Sequence, residues 1–126
     1  MPSFLKLWWP VILWSAIIFI FSSWPHLNVP KIKWENEDKF YHFAEFFIWG
    51  IIFLWRASKL NTFQPGANAL TEKIFLALLI GTIFAFIDEF HQRWVPGRSF
   101  DRYDLFADIG GLVFSSLIFL IFKKLI

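Results

Sequence analysis

Asp88-Glu89-Phe90-His91-Gln92-Arg93-Trp94-Val95-Pro96-Gly97-Arg98-Ser99-Phe100-Asp101-Arg102-Tyr103-Asp104 lies between two apolar runs, Ile74–Ile87 and Ile109–Phe122. Charge this dense between two oily segments is costly at membrane depth and points to function or tight pairing. The run before it is short of the roughly 20 residues that a membrane span needs. Continuing the helix through Asp88–Trp94 supplies the missing length, and Pro96-Gly97 then breaks it. On that helix Asp88 and Gln92 share a face, with Glu89 beside them at the membrane boundary.

Working outward, a following helix begins near Asp101, whose carboxylate can cap the first amides and meet the positive helix end. Asp101, Asp104, Asp108, Gly111 and Ser115 then form one stripe, polar at its start and small further in. Gly111-x-x-x-Ser115 permits close approach of a neighbouring helix. Lys123 and Lys124 suit a helix C-terminus and anionic headgroups. Toward the N-terminus, Thr71 is read as the cap of the third helix, and Pro65-Gly66 marks a turn before it. A second helix is expected from Glu37 to about Arg56, capped by Asn36. Asp38, His42, Glu45 and Trp49 share one of its faces. The first helix runs from about Phe4 to Trp24, carries Pro10, which should kink it, and stops before Pro25. Ser15 and Ser22 on it can bond back to their own helix or across to a neighbour. Its apolar run lacks a small-x-small cleavage pattern, so it is read as a retained helix rather than a signal peptide.

The expected fold is therefore an all-α integral membrane protein, a bundle of four transmembrane helices forming a single domain over residues 1–126. Composition agrees. Of the residues, 57% are hydrophobic, with 18 Phe and 8 Trp, more apolar surface than a soluble domain of this size can hide. A net charge of +2 with scattered basic residues speaks against nucleic acid as a partner. The absence of cysteine excludes disulfides, thiolate metal sites and a cysteine nucleophile. Trp8, Trp9, Trp24, Trp34, Trp55 and Trp94 fall near proposed helix ends, where indoles anchor at headgroups.

Four spans put the loops after the first and third helices on one side. Asp38, His42, Glu45, Asp88, Glu89, Gln92, Arg98, Asp101 and Asp104 can then converge there. Lys and Arg divide evenly between the two sides, so their count alone does not orient the chain. If Arg93, Arg98 and Arg102 are neutralised within the acid-rich stretch, the termini are expected in the cytoplasm.

Each candidate has two readings. Asp88 and Glu89 point about 100° apart on a helix, so one could act as a general base, or both could pair with Arg93, Arg98 or Arg102. His42 could shuttle protons or, with Glu45 and Asp88 or His91, meet an ion. It is read as hydrogen-bonded to a carboxylate, and no metal site is assigned. Arg98 could grip a phosphate with its planar fork or lock the turn against Asp101 or Asp104. Lys39 and Gln92 could be polar ligands or bridges.

The motifs resemble the VanZ-like family of small bacterial membrane proteins, named for a member associated with teicoplanin resistance. They read Ser22-Ser23-Trp24-Pro25, Asp38-Lys39-Phe40-Tyr41-His42-Phe43, Asp88-Glu89-Phe90-His91-Gln92 with Pro96-Gly97-Arg98, and Asp104-Leu105-Phe106-Ala107-Asp108-Ile109-Gly110-Gly111. Four motifs in order across nearly the whole chain carry the resemblance. Asp108 stands where the family pattern has Asn, a carboxylate in place of a neutral donor and acceptor. The resemblance implies a role in the bacterial cell envelope, in a multi-pass protein of the cell membrane.

Two functions are set against each other. In one, a charged interfacial pocket engages a lipid-linked or headgroup phosphate, polyprenyl phosphate among them. Arg98, Lys39, Gln92, Asp38 and Asp104 hold the ligand, and Asp88, His42 and Glu89 handle protons. In the other, a non-enzymatic protein interacts with the membrane and its charges lock the fold. A proton-coupled carrier is disfavoured, because four short helices leave little room for two access states unless the chain forms homo-oligomers. Membrane lipids are the expected surroundings, and no cofactor is identified.

Overall fold

The computed structural model describes residues 3–24, 37–60, 67–97 and 100–125. Within them the chain forms four long helices, α1 (Ser3–Ser23), α2 (Glu37–Ala57), α3 (Ala67–His91) and α4 (Arg102–Leu125). A single 3-10 turn, Gln92–Trp94, extends α3. No strand occurs among the described residues. The cap at Asn36, the Pro65-Gly66 turn and Arg98 lie outside them.

The polar end of α3 is helical, as the length argument requires. Gly97 then takes φ 80°, a left-handed conformation that suits glycine, and the chain turns toward α4. The start of α3 differs from expectation. Thr71 is inside the helix rather than its cap, because Ala69 and Leu70 are strong helix formers and carry the helix back to Ala67. At α4 the expectation holds: the Asp101 side chain accepts the Tyr103 amide at 2.8 Å, and its carbonyl accepts the amides of Asp104 and Leu105. α1 is one helix through Pro10.

By length and composition, Ser3–Ser23, Ala69–Trp94 and Arg102–Lys123 are able to cross a membrane. α2 is as long as α1 but carries Asp38, Lys39, His42, Glu45 and Arg56. It packs most extensively on α4 and also on α3 and α1, so neighbouring helices shield much of its polar side. Most of the exposed apolar surface lies on the other three, with Phe40, Ile48 and Trp55 exposed on α2. Ile12 and Ile20 on α1, Phe75 and Ile83 on α3, and Leu117 and Ile121 on α4 are exposed, as an apolar solvent around the bundle allows.

Contacts between helices fix the topology. The Arg56 guanidinium donates to the carbonyls of Leu7 and Lys6, while the Trp49 indole donates to Ser15 Oγ and the Trp14 indole to the Glu45 carbonyl. Residue numbers rise along α1 as they fall along α2, so the two are antiparallel. Lys39 meets Asp101 and Asp104, His42 meets Asp108, and Gly50 meets Ser115, so α2 and α4 run parallel. Glu89 meets the start of α4 and Gly81 meets Leu112 further along it, making α3 antiparallel to α4. The bundle is up-down-up-down. The start of α1 and the end of α4 share one end, and the charged segments share the other.

The interior between the two ends is apolar: Ile18, Phe46, Trp49, Leu54, Ala77, Ala85 and Leu112 pack as one core. At Gly111 helix backbone meets helix backbone: a Cβ there would overlap the Phe43 carbonyl oxygen and come within 2.8 Å of the Phe47 amide nitrogen. That approach draws the start of α4 onto the start of α2 and so positions the polar end.

Candidate functional site

Three helices bring their polar ends together. From α2, the Lys39 ammonium lies 2.8 Å from Asp101 Oδ2, 2.6 Å from Asp104 Oδ1 and 3.7 Å from Asp38 Oδ2. The hydrogen bond from Lys39 holds the Asp101 carboxyl below the ordinary carboxylate range. One turn further along α2, His42 is buried between carboxylates on both sides. Its Nδ1 is 2.9 Å from Asp108 Oδ1, and its Nε2 is 3.5 Å from Asp104 Oδ2 and 3.9 Å from Asp38 Oδ1.

α3 contributes two carboxylates on different faces. Asp88 Oδ2 accepts a 2.6 Å hydrogen bond from Ser22 Oγ on α1. Glu89 Oε1 accepts the Asp101 backbone amide at 3.0 Å, tying the end of α3 to the start of α4. The roughly 100° between successive helical residues explains why one acid turns to α1 and its neighbour to α4. Asp88, Glu89, Gln92, Asp104 and Asp108 are all buried. Glu45 is half-buried further along α2.

Of the residues singled out from sequence, His42, Asp88, Glu89, Gln92 and Asp104 are in the buried interior of this end. Lys39 is at its edge with its side chain 32% exposed, and Asp38 is outermost at 58%. Arg98 lies outside the described residues. Of the three arginines expected to neutralise the acids, Arg93 and Arg102 form no ion pair with a carboxylate among the described residues. The Arg93 guanidinium sits 5.0 Å from the Phe90 ring centroid and 5.9 Å from that of Trp94, and Arg102 sits 5.2 Å from that of Tyr103. Both side chains are exposed and stack on aromatic faces that are also exposed. Discounting them in the charge balance across the membrane therefore loses its basis. His91 also points away from the cluster, its ring 4.5 Å from that of Phe19 on α1.

Asp108 is the residue that motif reading undervalued. It is fully buried and is the nearest carboxylate to His42. Its place on the Asp101–Asp104–Asp108 stripe was the available signal. The site is strongly acidic: Asp38, Asp88, Glu89, Asp101, Asp104 and Asp108 surround one lysine and one histidine of the described residues. Glu89 Oε2 and Asp108 Oδ2 are buried without a hydrogen-bond partner among the described residues. A nearby cavity of about 200 Å³ is of another kind, lined by Phe86, Phe90, Arg93 and Phe100 on the outer side of α3. Chemically, the cluster can hold and pass protons through His42, or hold a cation among its carboxylates.

A family model described as VanZ/LLP1 matches residues 7–123, and the chain belongs to that family. No curated protein and no solved structure was found to match it.

Proposed function

We propose, from its membership of the VanZ/LLP1 family, that this is a cell-envelope protein, linked to glycopeptide resistance, that engages the phosphate of a lipid-linked carrier or headgroup. The observation that carries this reading is the half-buried Lys39 ammonium, standing where the start of α2, the end of α3 and the start of α4 converge. Polyprenyl phosphate and phospholipid present that group at the same membrane level. Lys39 and Arg98 meet the phosphate charge, with Arg98 supplying the planar fork that matches two oxygens. Asp38, Gln92 and Asp104 orient the cations and the ligand. If a reaction follows, it is phosphoryl transfer or hydrolysis, with Asp88 or His42 accepting the proton of the attacking group and Glu89 holding the segment before α4 in place.

A second reading rests on a specific observation. Lys39 already contacts both Asp101 and Asp104, and Ser22–Asp88 and Asp101–Glu89 tie helix ends together. That pattern suits charges that lock the fold of a non-enzymatic interaction protein. The variants Lys39→Met and Arg98→Lys separate the two. Polyprenyl-phosphate binding and thermal unfolding are measured together in detergent. Weaker binding with an unchanged unfolding midpoint supports the phosphate role. Unchanged binding with a lowered midpoint rejects it in favour of the fold lock.

A further inference from the structure

His42, Glu89 and Asp108 come from α2, α3 and α4, and all three are buried. Each offers a ligand atom, and these atoms lie within 4.8 Å of one another. Three ligands bonded at roughly 2.0–2.2 Å to one first-row divalent ion stand about 3.3–3.8 Å apart. The trio therefore needs to close by up to roughly an ångström, within the reach of side-chain rotation, to share one ion.

A second observation points to what is missing from ordinary pairing. Glu89 uses Oε1 on the Asp101 amide, and Asp108 has Oδ1 beside His42. Among the described residues Glu89 Oε2 and Asp108 Oδ2 have no hydrogen-bond partner, although both residues are 0% exposed. Two carboxylate oxygens left bare inside a bundle are costly without a counter-charge. No lysine or arginine among the described residues forms an ion pair with either carboxylate.

The two sides of His42 are not equivalent. On its Nε2 side, Asp38 and Asp104 already share the Lys39 ammonium, and a second cation there would meet repulsion. On its Nδ1 side, Asp108 approaches to 2.9 Å. We propose that His42 Nδ1, Glu89 and Asp108 form a binding site for one divalent cation of the manganese or zinc type. A neutral imidazole with two carboxylates balances a doubly charged ion, which favours burial as a neutral unit. Imidazole suits zinc and carboxylates suit manganese, so the mixed donor set fits both ions. With Nδ1 on the ion, the proton sits on Nε2 and faces Asp104, the outer carboxylate that fixes the ring. The site does not depend on the lipid-phosphate reading.

The test uses the full chain in detergent, stripped with a chelator and without added lipid. Mn²⁺ is followed by electron paramagnetic resonance and Zn²⁺ by elemental analysis after dialysis. The expected result is one ion bound per chain and an unfolding midpoint that rises with ion concentration. Glu89→Gln and Asp108→Asn keep the side-chain shape and remove a charged ligand. Each should weaken binding by at least the roughly tenfold to hundredfold that loss of a supporting group costs. Circular dichroism identifies which variants retain the helices, and one folded variant is sufficient for the comparison. Wild-type protein that takes up neither ion overturns the proposal. So does equal uptake by a folded variant, which would move the ion to a site elsewhere. If neither variant folds, the proposal stands or falls on whether the wild type binds one ion and is stabilised by it.

Discussion

Ser22 and Asp88 show how single residues hold the polar end. The serine hydroxyl donates to a buried carboxylate at 2.6 Å across two helices. A hydrogen bond to a charged acceptor contributes roughly 1.5–3 kcal/mol. Ser22→Ala should therefore lower stability by about that amount in a thermal or denaturant melt in detergent, with α1 loosened first in hydrogen exchange. Asp101 gives a prediction with a sign. Its carboxyl titrates below the ordinary aspartate value of about 3.9 because Lys39 binds its charged form. A carboxylate depressed in the folded state contributes stability that is fully present above the unfolded value and lost as pH falls through the folded one. Asp101→Asn should thus melt below wild type at neutral pH, and the gap should close as pH drops below about 3.9. A gap that is independent of pH would assign the effect to the helix cap alone. At this scale the sequence was informative about which residues are polar neighbours and less so about which pairs form. Periodicity placed His42 and Glu89 toward the cluster. It could not reveal that Asp108 is His42's nearest partner, because that pairing depends on how closely α4 approaches α2.

Helices were the most legible level, for a physical reason. An apolar segment must be long enough to cross the bilayer, so the shortfall at Ile74–Ile87 forced the charged residues into α3. The missed start of α3 has the opposite cause: a cap residue is a weak local preference, and Ala69 and Leu70 outweigh it. The expected destination of Arg93 and Arg102 failed because sequence carries no information on side-chain direction at an exposed end, where aromatic faces compete with carboxylates. The α2–α4 contact gives the prediction at this level. Gly111 faces backbone atoms of Phe43 and Phe47, which cannot rotate aside, whereas a Cβ at Gly110 would meet only the Phe43 ring at 3.5 Å. Gly111→Ala should cost about 1–3 kcal/mol by overpacking, and Gly110→Ala should be close to neutral. Equal effects of the two in a melt would show that α2 and α4 do not meet at Gly111.

The whole molecule separates its tasks by position. Exposed hydrophobic residues surround the bundle, most of them on α1, α3 and α4, and the acidic cluster lies at the end away from the termini. α2 is the one long helix among the described residues that is not apolar enough to be a candidate span and packs most extensively on α4 while also touching α1 and α3, so it can carry Lys39, His42 and Glu45 between the others. That arrangement makes the acidic end a product of all the helices together, which is why no single motif discloses it. The functional readings share one premise, that the starts of α2 and α4 and the end of α3 converge there, and His42, Glu89 and Asp108 mark that convergence. The chain has no cysteine, so paired cysteines report without background. His42→Cys is combined in turn with Asp108→Cys and with Glu89→Cys, and Asp38→Cys with Lys123→Cys serves as the pair from opposite ends. A short bifunctional thiol reagent is applied to the folded protein in membranes, and linkage is read by mass spectrometry of the cleaved chain. The structure predicts linkage of both His42 pairs and none between positions 38 and 123. Failure of both His42 pairs in helical protein, or linkage of the opposite ends within one chain, would contradict it.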